Sequence, residues 1–379
     1  MNGRTIDLAL PGFGLEAGPW LDRPHLRAWI ASPGDEGLAP YVVDDPGLPT
    51  PIARSAAARA AIPRARPVLD PDVPTRLVVH ALTGDARVGG PLGWWAPVVG
   101  PGQPLDPTRQ RIVCFNQLGS CYGSFGPADE GFPARPPTGD AAVARWPAPL
   151  TAFDQARAIL LALDGLGITH VEALIGGSLG GMVALSLAVL APARFGRVVN
   201  IAGDGVSTPW IRAYNHVGRT LIAANPHQGL DAARQLAMIS YRAPGGFQRR
   251  FADGADGGIG DWLDHHGRSL VARFDPFAYI AQLDAMDQTD VDRVPRRDPA
   301  ESWHPNGPWG LKRYTNPLFG VGISTDQLYP PARVRQIVAA HVARGGHGAY
   351  AELDDDNGHD AFLIAFDPLR DILRAFLDR

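Results

Sequence analysis

Short apolar runs of strand length recur along the chain at Arg76–His80, Arg111–Asn116, Val171–Ile175, Arg197–Ala202, Leu318–Ile323 and Ala349–Leu353. Between them the apolar period lengthens to that of a helix. Thr151–Leu166 sets Phe153, Ala156, Ile159, Leu160 and Leu163 on one face, and Met182–Leu187 opens a second, buried helix. Pro331–Ala343 and Ala361–Leu377 read as further helices. Strands and helices in alternation predict a mostly parallel sheet with helices on both faces. The opening stretch, Met1–Ala31, reads as strands, with His25–Ile30 the clearest alternating segment.

Two stretches break the pattern. Ser32–Thr75 is rich in Pro, Ala and Arg; its prolines allow only a short Ala-rich helix near Ile52–Ile62, so residues 32–75 are expected to be a surface insertion, mobile or packed against a partner. From Gly205 to Pro299 strand signals are few and helix formers dominate, and Asp292–Gly310 reads as loop. The expected organisation is a core at 1–204, a helical lid at 205–310, and the rest of the core at 311–379.

Composition narrows the function classes. A chain of 379 residues, 45% hydrophobic and 20% charged, suits one large α/β core carrying an insertion. Its net charge of −4 gives no reason to expect nucleic acid or an anionic membrane as partner. Met1–Leu8 lacks a basic flank followed by an apolar core, and no apolar run is long enough to span a bilayer. The two cysteines, Cys114 and Cys121, are expected to be reduced thiols of a cytoplasmic enzyme, and no metal-ligand spacing is present.

The candidate chemistry lies at Gly176-Gly177-Ser178-Leu179-Gly180. A strand that turns at once into a helix has room only for residues without side chains around the bend, so Ser178 projects at the tip as a nucleophile elbow. Serine needs a base to take its proton, and the imidazole needs an acid to hold its tautomer. In sheet enzymes of this kind the partners follow in the order acid, then histidine, each beyond a strand. Asp326 follows Leu318–Ile323 and His359 follows Ala349–Leu353, which completes the order. Asp354, Asp355 and Asp356 compete for the acid role, although they also suit a solvated acidic turn. The loop Ala81–Asp85 leaves its strand through small residues, as an oxyanion donor requires.

The chain resembles the homoserine O-acetyltransferases, acyltransferases of the α/β-hydrolase fold. The resemblance rests on HALTGDA (80–86), GWW with GPG and LD (93–106), NQLGSCYGSFGP (116–127), GGSLGGM (176–182), SYR (240–242), STDQLYPP (324–331) and GHDAFL (358–363). Leu179 stands where the family typically has Met, and residues 32–75 look longer than usual. The resemblance implies a double displacement: Ser178 takes an acyl group from acetyl-CoA or succinyl-CoA, and homoserine's hydroxyl then removes it. The N–H groups of Leu82 and Leu179 would form the oxyanion hole. Arg219, with Arg212 nearby, would hold the acceptor's carboxylate, and Asp360 its ammonium. No permanent cofactor is implied; the implied assembly is a cytoplasmic homodimer formed through the lid, acting in methionine biosynthesis. The same triad would also serve an esterase or thioesterase, or transfer to L-serine or another hydroxyl acceptor. A scaffold that kept the fold without catalysis would have no physical need for all three triad residues.

Overall fold

In a computed structural model of the chain, residues 3–34, 36–43, 51–63, 67, 69–135, 146–252, 258–295 and 309–378 are described. In chain order the strands are β1 (Arg4–Ala9), β2 (Phe13–Gly14), β3 (Trp20–Leu21), β4 (His25–Ala31), β5 (Thr75–Val79), β6 (Arg111–Phe115), β7 (Ala173–Gly177), β8 (Val198–Ile201), β9 (Leu318–Ile323) and β10 (Gly348–Leu353). The helices are α1 (Ala56–Ala60), α2 (Ala152–Gly165), α3 (Leu179–Leu190), α4 (Pro209–Ala224), α5 (Pro226–Ser240), α6 (Pro244–Phe251), α7 (Gly258–Val271), α8 (Pro276–Asp287), α9 (Pro331–Ala343) and α10 (Phe366–Leu377).

One eight-stranded sheet runs in the order β1-β4-β6-β5-β7-β8-β9-β10, while β2 and β3 pair separately. From β6 to β10 every neighbour pairs in parallel, and β4 and β1 extend the sheet as an antiparallel edge. Both faces are covered. Leu77 and Val79 of β5 point into a core shared with α2 and α3, whereas Val78 points into a second core shared with Leu369, Leu373 and Phe376 of α10. Strands buried on both sides have no polar face, which explains their unbroken apolar runs.

The same covering accounts for a difference at β4. Its sequence suggests an alternating strand, yet all seven residues are buried. Arg27 is accommodated there because its guanidinium makes two bonds to Asp7 of β1, at 2.8 and 3.0 Å. The Pro-rich stretch is tied to this edge as well. Just before α1, the Arg54 amide donates to Asp129 at 2.6 Å and its guanidinium to the Gly123 carbonyl. Ser55 caps α1, which is shorter than the 52–62 segment that its composition suggests. At the C-terminus the expected single helix is divided: Gly358–Leu363 forms a 3-10 turn before α10 begins.

Between β8 and β9 the chain leaves the sheet and forms α4 to α8, a helical insertion, before β9 pairs in parallel with β8. The loops that leave β5 and β7 lie side by side where the chain order reverses across the sheet. That crevice is the usual location of a site in an open α/β sheet.

Candidate active site

The turn from β7 to α3 is made by close backbone packing. A Cβ on Gly176 would overlap the Gly180 carbonyl oxygen, and a Cβ on Gly180 would overlap that of Val79. With both positions restricted to glycine, the bend is tight enough to force Ser178 to φ 57° and ψ −125°, a conformation that L-residues rarely adopt. The Ser178 amide is held by the Ile201 carbonyl of β8 at 2.9 Å.

Three residues far apart in sequence meet at that tip. His359 Nδ1 lies 2.7 Å from Asp326 Oδ2, and His359 Nε2 lies 2.8 Å from Ser178 Oγ. A carboxylate can only accept, so the ring proton sits on Nδ1 and Nε2 is left to accept the serine proton. The other Asp326 oxygen accepts from the amides of Leu328 and Tyr329, at 2.8 and 2.9 Å, which fixes the carboxylate's orientation. Tyr329 and Tyr241 pack their rings within 5.1 and 5.7 Å of the imidazole. Burial alone would lower the His359 pKa. The Asp326 charge and hydrogen bond, with Asp360 adding to them, outweigh burial and raise it above the ordinary imidazole value. The rival acids have other partners. Asp354 accepts from Ser324, Asp355 from Asn357, and Asp356 pairs with Arg249.

Ser178 and His359 open on a cavity of about 310 Å³. The loop after β5 forms one wall, including Leu82 and Thr83. Behind it His80 is fully buried, accepting from the Gln117 amide at 3.1 Å and contacting the Ala81 carbonyl at 2.7 Å. Burial pushes its pKa down to about 4, so it remains neutral and acts as a fixed support for the loop. Leu179, the other expected oxyanion donor, is the first residue of α3, where amide groups have no partner within the helix.

The substrate residues expected from sequence divide. Asp360 lines the cavity, but its carboxylate is already paired with Arg242 at 3.2 Å. Neither Arg219 nor Arg212 lines it. The Arg219 guanidinium is paired with Asp287 and approaches Asp284 at 3.4 Å, both on α8. The cations at the cavity wall are Arg234, on α5, and Arg273, just beyond α7. Arg234 lies over the Tyr241 ring, 5.6 Å from its centroid, and makes no ion pair among the described residues. Sequence reasoning missed it although a signal was present, since Arg234 shares a helical face with the buried Leu230 and Ala237. Among the described residues no group of His, Cys, Asp and Glu could hold a metal ion, and no helix is long and apolar enough to cross a membrane.

The chain as a whole has known relatives. Residues 77–366 match a family described as having the alpha/beta hydrolase fold. A homoserine O-acetyltransferase of Moorella thermoacetica is 37% identical over 332 residues, spanning 79% of this chain and 85% of that protein. One from Thermus thermophilus is 41% identical over 329 residues, spanning 79% and 81%. Among solved structures, the homoserine O-acetyltransferase of Staphylococcus aureus superposes with a TM-score of 0.74 over all of this chain and 96% of that one, at 24% identity.

Proposed function

The chain belongs to the homoserine O-acetyltransferase family of the α/β-hydrolase fold, and from that premise we propose that it moves an acetyl group from acetyl-CoA to the side-chain hydroxyl of homoserine. The observation that carries this reading is the hydrogen-bonded series Asp326–His359–Ser178 opening on a cavity that Arg234, which makes no ion pair among the described residues, also lines.

In the first half-reaction Ser178 Oγ attacks the thioester carbonyl while His359 Nε2 takes its proton. The amides of Leu82 and Leu179 receive the charge that develops on the carbonyl oxygen. As the C–S bond breaks, the proton passes from His359 to the departing thiolate, and acetyl-Ser178 remains. In the second, homoserine's hydroxyl gives its proton to the same nitrogen and attacks the acyl carbon. The C–O bond to Ser178 breaks and the proton returns to its oxygen. Asp326 keeps the imidazole in the required tautomer and stabilises it when charged.

Arg234 takes the place that sequence reasoning gave to Arg219. Its fork is available for the acceptor's carboxylate, whereas that of Arg219 is engaged by two aspartates. Asp360 faces the same cavity and would hold the ammonium, with Arg242 behind it setting how much of its charge is on offer. Exposed Trp210, Val217 and Ile239 on α4 and α5 support assembly as a homodimer through the insertion, and free, buried Cys114 and Cys121 suit the cytoplasm.

Rapid mixing with acetyl-CoA or succinyl-CoA, followed by mass measurement of the intact protein, tests the reading. A 1:1 acetyl adduct on Ser178 that homoserine discharges faster than water does is expected. Discharge to water even with abundant homoserine would make the protein an esterase or thioesterase instead, and preferential discharge to L-serine would change the acceptor.

A further inference from the structure

Several residues of the helical insertion make polar contacts to the catalytic loops, Arg242 to Asp360 among them, and Arg273 is the one that reaches the loop leaving β5. Arg273 follows α7 and reaches out of the insertion to the core. Its Nη1 donates to the Thr83 carbonyl at 3.0 Å and to the Tyr122 hydroxyl at 2.5 Å. Thr83 is the residue after Leu82 in the loop that leaves β5, and Tyr122 belongs to the loop that leaves β6. The neighbouring ring of Phe274 packs edge-on against Tyr122 at 5.4 Å, and both rings are buried. Arg273 also lines the cavity with Ser178. Both acceptors are neutral, and among the described residues no carboxylate pairs with this guanidinium.

We infer that Arg273 is a positioning residue for acyl transfer, holding the Thr83 carbonyl so that the preceding Leu82 amide stays aimed at the oxyanion. The inference rests on the acyl-enzyme reading above. The Thr83 carbonyl shares a rigid peptide plane with the Gly84 N–H, which donates to the Ala81 carbonyl at 3.0 Å, and that carbonyl shares its own plane with the Leu82 N–H, so a hold on Thr83 is passed to the Leu82 amide. Among the described residues the loop's other holds come from the core side, where His80 packs under Gly84 and the Trp94 indole donates to the Asp85 carbonyl at 2.9 Å. Arg273 supplies the opposing constraint, and it comes from the insertion. The insertion therefore does more than cover the cavity: its seating on the core sets the oxyanion donor. An uncompensated cation there also favours negative charge at the tetrahedral intermediate.

The test uses p-nitrophenyl acetate, a small neutral ester that carries neither a nucleotide nor an amino-acid group. Acetylation of Ser178 is followed by nitrophenolate release and intact mass in the wild type, Arg273→Met, Arg273→Lys and Tyr122→Phe. Removing an oxyanion donor typically costs about a hundred- to a thousand-fold. Loosening one should slow Arg273→Met acylation by about tenfold or more, with KM for homoserine and the His359 pH midpoint unchanged. Arg273→Lys should recover part of the loss, because an ammonium can still donate to Thr83. Tyr122→Phe should cost less than Arg273→Met, since it leaves the Thr83 bond. Should Arg273→Met fail to fold, Arg273→Lys and Tyr122→Phe carry the test, and wild-type rates in both would overturn the inference. Normal p-nitrophenyl acetate rates combined with a raised KM for acetyl-CoA or homoserine would also overturn it, making Arg273 a contact for a substrate anion. Failure of the wild-type protein to acetylate on Ser178 at all would sink the acyl-enzyme reading and this inference with it.

Discussion

Arg219 on α4 is paired with Asp287 and lies 3.4 Å from Asp284, so this cation joins two helices of the insertion and does not face the cavity. Removing one partner of a buried pair leaves the other charge uncompensated, typically at about 3–5 kcal/mol. Asn215 still donates to Asp287 at 2.7 Å and Arg135 still pairs with Asp284, which should bring the loss nearer about 2 kcal/mol. Arg219→Ala is expected to lower the urea midpoint while leaving KM for homoserine close to wild type. A large rise in that KM with unchanged stability would return Arg219 to the substrate.

Arg234→Ala should give the opposite result. A charge-assisted bond to a carboxylate is worth about 1.5–3 kcal/mol, so kcat/KM for homoserine should fall roughly ten- to a hundred-fold. In the proposed double displacement, acetylation of Ser178 comes before the acceptor binds and should proceed unchanged. Single-turnover acetylation, followed by partitioning between water and homoserine, separates the two steps.

The pH profile follows from the forces on His359. Transfer needs the neutral imidazole as base, and the folded pKa is raised, so kcat/KM should increase with pH through a midpoint above 6.5. In stability the sign is reversed. The imidazolium's contribution is complete below pH 6.5 and is lost as pH rises through the raised folded value. Asp326→Asn removes the partner's charge and hydrogen bond and leaves burial, the largest influence, opposed only by the smaller one of Asp360, so the midpoint should move below 6.5. The rate should drop by about 10³–10⁴-fold as the tautomer is lost. An unmoved midpoint would mean that another group titrates.

Ser178 sits at φ 57° for the sake of its reach, and the fold bears the strain. A residue held in such a region costs about 1–3 kcal/mol, and glycine is spared most of it. Ser178→Gly should therefore be inactive yet melt at a higher temperature than Ser178→Ala. Equal melting temperatures for the two variants would show that the elbow stores no strain.

What could be read from sequence, and what could not, depends on where each residue stands relative to a strand. Asp326 and His359 lie directly beyond β9 and β10, and a parallel sheet brings the ends of its strands to one edge whatever the connections do. Chain order and strand ends were therefore enough to nominate them. Arg219 and Arg234 offer no such frame. Each lies on the same face as buried residues of its helix, Asn215 and Ile222 for the first, Leu230 and Ala237 for the second. Periodicity marks both as inward cations and cannot choose between them. The choice was made by α8, which carries Asp284 and Asp287 opposite Arg219, and that packing has no local signature. The anchoring of the Pro-rich stretch was hidden for a similar reason, because Arg54 finds its partners at Asp129 and Gly123, which lie far along the chain.

The pairing of β8 with β9 across residues 202–317 has a consequence for synthesis of the chain. As the protein emerges from the ribosome, the apolar β8 (VVNI) is the raw border of a half-built sheet for as long as the insertion is being made. The helices of the insertion can form from local contacts during that interval, whereas the sheet must wait for a distant strand. Nascent chains halted before Leu318 should thus carry a sticky edge open to neighbours, and should sediment as aggregates where chains completed through Leu353 stay dispersed.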